Sequence, residues 1–319
     1  MNKIGIDFDI NKMYDLSEKE IREYVRHLAY LGVRRLDFFY SMFLEPEHVG
    51  VKDIVIDEVK KNDIKVSIHS LPVDGMWLTY RNRVKMEEGL EAHKKALYEL
   101  RVQLEKYGIN YEVPIVFHSG YYDDIDKEEL FKLNIEFYTE LAKEAKNYDF
   151  LILAETLSYN HPHVKVIGNN WEDIERLCDE IPHENFGICW DMGHTHLNYT
   201  EHGSDMLPNE KIAKRIKHTH IHRVLNGTLY GHSLHRYAHN IEFEEGKDHG
   251  FLMDDNFQDE EIKWLVENNY NYAYSLELAY NLLLEHNVNY DKVFDSVKIL
   301  NRRVNKFKND KHVISIMNS

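Results

Sequence analysis

Asp191 closes the apolar run Phe186-Gly187-Ile188-Cys189-Trp190, and His194 stands three residues beyond it. The run reads as a buried strand, so a carboxylate and an imidazole share its C-terminal end and the turn that follows. Burying such a pair is costly unless a cation lies between the two groups, and the chemistry that fits is metal binding. The arrangement recurs along the chain. His69, His118, Glu155 and Glu277 each close a further apolar stretch, and His218, His220 and His222 alternate along another. A single histidine or glutamate at a strand end is ordinarily held by a neighbouring side chain. Ligand-type groups at the same place on six strands point instead to one shared centre. Nitrogen and oxygen donors without thiolate suit zinc, manganese or cobalt, and the imidazoles exclude a purely calcium-like site.

For these groups to meet, their strands must run side by side in one direction. Strands are expected over Lys3–Asp7, Val33–Phe38, Ile64–His69, Val113–His118, Phe150–Glu155, Phe186–Asp191, Ile216–His222 and Tyr272–Leu278. A capping box at Ser17-Glu18-Lys19-Glu20 opens the first helix, with Ile21, Val25 and Leu28 at helical spacing. Further helices are expected over Val51–Lys61, Val84–Tyr107, Lys127–Lys146, Trp171–Glu180, Gln258–Asn268 and Asp291–Lys306, with at most a short one at Lys211–Arg215. Eight strand–helix units predict an α/β fold: a single (β/α)8 TIM barrel over residues 1–319, with its site at the C-terminal ends of the strands. Residues 227–250 read as a long polar insertion after strand seven, and 308–319 as a C-terminal tail. Alternation along a strand puts Leu151, Leu153 and Glu155 on one face, Ala273, Ser275 and Glu277 on another, and Ser67 with His69 on a third. Bulky apolar neighbours then face the outer helices while the ionisable groups close the barrel interior.

Composition supports a large core, since 43% of the 319 residues are hydrophobic. The net charge of −16 repels phosphate backbones and anionic membranes, which argues against a nucleic-acid partner. No apolar run approaches membrane-spanning length. Cys178 and Cys189 show neither metal nor redox spacing. The chain enters its first strand at once, leaving no room for a signal peptide, so a cytoplasmic location is expected. His161, His163, His183 and His196 read as surface or loop residues, and the 21 tyrosines as packing.

The motifs Ile68-His69-Ser70, Phe117-His118-Ser119-Gly120, Ala154-Glu155-Thr156, Trp190-Asp191-Met192-Gly193-His194, Lys217-His218-Thr219-His220 and Ser275-Leu276-Glu277 stand in this order along the chain. Together they resemble the xylose-isomerase-like TIM barrels, a superfamily of sugar and sugar-phosphate isomerases and epimerases that also holds endonuclease IV and UV-damage endonuclease. The resemblance implies that Glu155, Asp191, His220 and Glu277 are the four ligands common to epimerases and nucleases. It implies that His69 and His118 match two further ligands the nucleases use for an additional metal. His194 matches either a third-metal ligand or a substrate contact. Where the endonuclease IV pattern has Asp-Arg-His, this chain has His235-Arg236-Tyr237-Ala238-His239, so His235 or His239 could supply one ligand, and His222 is a further candidate. Arg223 stands where many members carry an aspartate, and strand two ends on Asp37 where glutamate is commoner.

By that resemblance the expected activity is a divalent-metal-dependent sugar or sugar-phosphate isomerase or epimerase, with Glu155 and Glu277 exchanging a carbon-bound proton. Zinc or manganese, one to three ions per chain, is the expected cofactor. Arg223 and Arg236 could bind a substrate phosphate. The alternative is a multi-metal phosphoester hydrolase of the endonuclease type, favoured by His69 and His118 and opposed by the negative charge and by missing DNA-gripping loops. A metal-binding barrel without turnover is a third reading. No membrane partner is expected, and an oligomer is compatible with the sequence.

Overall fold

The computed structural model describes residues 3–8, 13, 16–44, 49–70, 83–119, 121–122, 125–158, 165–224, 250–278 and 290–317. Its barrel strands are β1 (Ile4–Phe8), β2 (Val33–Phe39), β3 (Lys65–His69), β4 (Val113–Phe117), β6 (Phe150–Glu155), β8 (Phe186–Asp191), β9 (Ile216–Ile221) and β10 (Tyr274–Leu276). They are parallel and close on themselves in the order β1-β10-β9-β8-β6-β4-β3-β2. Two short strands outside the barrel, β5 (Tyr121–Tyr122) and β7 (Lys165–Val166), pair antiparallel above it. The helices are α1 (Glu18–Tyr30), α2 (Ser41–Leu44), α3 (Val49–Lys61), α4 (Arg83–Lys106), α5 (Lys127–Ala145), α6 (Trp171–Glu180), α7 (Met192–His202), α8 (Asp259–Glu267) and α9 (Tyr290–Met317).

Alternation along each strand sorts the core into two layers. Ile152, Ala154, Ile188, Trp190, Tyr274 and Leu276 point outward into one continuous apolar cluster shared with the helices. Val116, Leu151, Leu153 and Cys189 form a separate, smaller cluster inside the barrel. A one-residue slip of β6 would drive Glu155 into the helical layer and forfeit about 1.5–3 kcal/mol for each large apolar side chain turned away from it. The pattern therefore fixes the register, and the register fixes which groups reach the mouth. Ser17 caps α1 as expected: its hydroxyl accepts the Glu20 N–H at 3.3 Å, and the Glu20 carboxylate accepts the Ser17 N–H at 2.8 Å.

Some expected boundaries move. β2 continues past Asp37 to Phe39, so Asp37 lies inside the barrel and not at its rim. The last strand is shorter than expected, leaving Glu277 just beyond it. The last helix, expected to end at Lys306, continues as α9 through Met317. Lys311 anchors that extension by donating to the carbonyls of Val266 at 2.9 Å and Glu267 at 3.0 Å, and to Asn269 Oδ1 at 2.7 Å. Most of the 227–250 insertion lies outside the described residues, with Gly250 returning to pair with Arg223. No described helix is long and apolar enough to cross a membrane.

Candidate metal centre

The mouth is built from strand ends. β3 delivers His69 as its last residue, β6 delivers Glu155 and β8 delivers Asp191, while His118, His222 and Glu277 stand one residue past β4, β9 and β10. His220 projects from β9 into their midst. Its Nδ1 lies 2.7 Å from Glu155 Oε1, 3.2 Å from Glu277 Oε2 and 4.0 Å from Asp191 Oδ2. Three carboxylates thus converge on one imidazole. His69 Nε2 closes the group at 3.4 Å from Glu155 Oε2 and 3.7 Å from Glu277 Oε1, with its ring stacked on that of His220. His118 Nε2 approaches Glu155 Oε2 at 3.0 Å from the more open side of the mouth.

Asp191 does a second job. As the N-cap of α7 it accepts the His194 backbone N–H through Oδ1 at 2.7 Å. The aspartate–x–x–histidine spacing is therefore also the spacing of a cap to the third residue of its helix. The Thr156 hydroxyl ties the ends of β6 and β8 together, accepting the Asp191 N–H at 2.8 Å and lying 3.2 Å from the Asp191 carbonyl. His194 Nδ1 lies 3.0 Å from the Thr156 carbonyl, which only accepts, so in the neutral ring the lone pair sits on Nε2.

Burial would raise the Glu155 carboxyl, but the imidazoliums of His220 and His118 outweigh it and hold Glu155 well below the usual carboxylate range. Burial likewise opposes charge on His220, and its neighbours hold it well above the usual imidazole range. Of these, Cys189 is itself pushed up by burial and is a neutral thiol near pH 7, so the effective charges are those of Glu277 and Glu155. Asp7, at the end of β1, is raised well above its ordinary value by burial, against the opposing hydrogen bond from the Leu278 N–H.

The residues present fit a divalent ion. The donors are imidazole nitrogens and carboxylate oxygens, and three clustered carboxylates, two of them fully buried, need positive charge between them. Both ring nitrogens of His69 are buried with no hydrogen-bond partner among the described residues.

Other expected residues fall elsewhere. Arg223 is paired with Asp255, and its guanidinium stacks 5.2 Å from the Phe257 ring. His235, Arg236 and His239 lie outside the described residues, as do His161 and His163. His196 is not a loop residue: it sits in α7, packed 4.4 Å from the Phe257 ring and 3.6 Å from the buried Glu261. Sequence reasoning missed a layer beneath the mouth. His218 Nε2 meets Asp37 Oδ2 at 3.1 Å, and the Ser275 hydroxyl donates to the same oxygen. The parity of Asp37, His218 and Ser275, each facing the barrel interior from a different strand, was the available signal. Cys189, which lacks any motif spacing, lies with His218 and His220 close enough for their ligand atoms to fall within 4.8 Å of one another.

A family model described as xylose isomerase-like TIM barrel matches residues 21–280. No curated protein matches the chain in sequence. Among solved structures the chain is similar to a D-tagatose 3-epimerase-like protein, with a TM-score of 0.64 and 18% identity, covering 97% of this chain and 99% of that one. It is similar to an L-ribulose 3-epimerase, with a TM-score of 0.65 and 14% identity over 99% and 98% of the two chains. It is also similar to a 3-keto-D-glucoside 4-epimerase from E. coli, with a TM-score of 0.60 and 15% identity over 95% and 100%. At these identities the likeness establishes the fold.

Proposed function

We propose that this chain, which belongs to the xylose isomerase-like TIM-barrel family, is a divalent-metal-dependent epimerase or isomerase of a small sugar or sugar phosphate. One observation carries the proposal: Glu155 and Glu277 flank the same two imidazoles, each carboxylate lying within 3.7 Å of His69 Nε2 and within 3.2 Å of His220 Nδ1. Two facing carboxylates are what a proton needs to leave one face of a carbon and return on the other. The names of the similar structures described above, two sugar epimerases and one sugar epimerase-like protein, support the same substrate class.

Glu155, Asp191, His220 and Glu277 are the residues that would hold the ion. When bound, a zinc or manganese ion supplies Lewis-acid polarisation of a hydroxyl–carbonyl pair, which acidifies the neighbouring carbon-bound proton. The chain's own residues do the rest. Glu277, partly open to the mouth, removes the proton from one face, and Glu155, enclosed on the far side, delivers one to the other. His118, on the more open side of the mouth, is placed to meet a substrate oxygen. The acidic chain disfavours a polyphosphate duplex and leaves a small neutral or singly charged substrate as the better match.

A second reading keeps one observation of its own. Glu155 turns Oε1 to His220 and Oε2 to His118 and His69, so His69, His118 and Glu155 would be the residues to hold a second ion, which would activate water for attack on a phosphoester. Both readings are tested together by incubating the protein, with manganese or zinc and with a chelator, against a panel of ketoses and against an abasic-site duplex. Metal-dependent interconversion of a ketose, without nicking, is expected. Metal-dependent nicking without any sugar conversion would promote the hydrolase.

A further inference from the structure

His222 follows β9, is fully buried, and its Nε2 lies 3.1 Å from Oδ1 and 3.2 Å from Oδ2 of Asp191. An ionised carboxylate only accepts hydrogen bonds, so this nitrogen carries the proton. A ring nitrogen that donates to Asp191 has no lone pair for an ion. The Asp191 carboxylate is gripped from two sides, by the His222 ring and by the His194 backbone N–H at 2.7 Å. Its Oδ2 lies 3.2 Å from the same His222 nitrogen, 3.4 Å from His194 Nδ1 and 4.0 Å from His220 Nδ1.

Gly193 supplies an independent observation. A Cβ there would stand 2.1 Å from Cε1, 2.4 Å from Nε2 and 2.6 Å from Nδ1 of His222. Gly193 is the second residue of α7, where the helix fixes its backbone. On the other side, the Gln258 amide donates to the His222 carbonyl at 3.0 Å and pins the main chain that carries the ring. Neither partner can easily retreat. The imidazole has one seat, between the bare Cα of Gly193 and the carboxylate of Asp191.

We propose that His222 is a positioning residue for the metal centre and not one of its ligands: its Nε2–H fixes the orientation of Asp191, and Gly193 is the glycine that lets the ring reach it. The inference rests on the metal-centre reading above and assigns a role that reading leaves open. Groups that orient a metal ligand in this way typically set metal affinity by 10–100-fold without altering the number of ions bound.

The test is metal affinity, read by competing the metal-free protein with a chromophoric chelator for manganese or cobalt. In H222A, affinity is expected to weaken by about 10–100-fold at unchanged stoichiometry. In H222Q, whose amide can still donate to Asp191, it is expected to return to within a few-fold of wild type. G193A should weaken binding by displacing the ring, and G193A/H222A should bind no more weakly than H222A. If H222A does not fold, the contrast of G193A with H222Q carries the test alone. H222A at wild-type affinity, or H222A with one ion fewer and the remainder bound normally, overturns the proposal while leaving the metal centre standing. A wild-type protein that binds neither ion overturns the metal-centre reading, and this proposal with it.

Discussion

His220 Nδ1 lies 2.7 Å from Glu155 Oε1, and neither group reaches solvent. In the metal-free protein this contact ties stability to pH from both sides. Against the burial of each group, Glu277 and Glu155 raise His220 above its ordinary 6.5, so its contribution is complete below that value and fades as pH rises through the folded-state value. The imidazoliums lower Glu155 below its ordinary 4.5, so its contribution is complete above that value and fades as pH falls through the folded-state value. The pair should stabilise the apo protein most between 4.5 and 6.5. Thermal melts of chelated protein across pH 4–9 check this, with a declining Tm above pH 6.5 as the expected sign.

Metal binding should reverse that upper limb. An ion competes with the proton on His220, so affinity rises with pH and binding releases protons. Titration calorimetry at pH 6 in buffers of different ionisation enthalpy should show net proton release. Binding that is insensitive to pH between 5.5 and 8 would exclude His220 as a ligand.

Glu277→Gln should fold normally, since Glu277 sits at the open mouth, yet lose roughly 10²–10⁴-fold in kcat for the sugar reaction. A steady-state assay beside a melting curve separates the two effects. Turnover within tenfold of wild type would remove Glu277 from the proton path.

Much of this site was legible because strand parity and strand ends obey simple rules. Glu155 shares a face with Leu151 and Leu153, and its place at the mouth follows once that face is known to be interior. The Asp191–His194 spacing was visible too, although its capping role was not, because N-cap and ligand patterns coincide there. What escaped were contacts between distant strands. Nothing local to Asp37 shows that it meets His218 and Ser275, since β2 borders β1 and β3 and reaches the side chains of β9 and β10 only across the barrel interior. The continuation of α9 escaped for a related reason: Lys311 is held by α8 and the turn after it, over forty residues earlier in the chain.

Gly5 in β1 makes room for that inner layer. A Cβ at this position would lie 2.6 Å from Ser275 Oγ and 2.9 Å from Ser275 Cβ. Gly5→Ala should therefore push Ser275 off Asp37 and destabilise the protein by about 1–3 kcal/mol. Adding Ser275→Gly should recover part of the loss. Urea unfolding of the three variants measures it, and a neutral Gly5→Ala would show that the layer is not tightly packed.

Lys311 donates to the last carbonyls of α8, where a cation also meets the negative end of the helix. Lys311→Ala should cost about 0.5–1.5 kcal/mol. Removing residues 308–319 should cost more than Lys311→Ala alone, because it removes the final turns of α9 with it. Paired thermal melts decide the order.

Deuterium wash-in tests the central claim most directly. A ketose substrate found active with manganese is converted in D2O, and the recovered epimer is read by mass spectrometry and NMR. Transfer through Glu155 and Glu277 should place one deuterium on the carbon whose configuration changes, with no incorporation after chelation or in Glu277→Gln. Epimer formed without solvent deuterium at that carbon would contradict the two-carboxylate account.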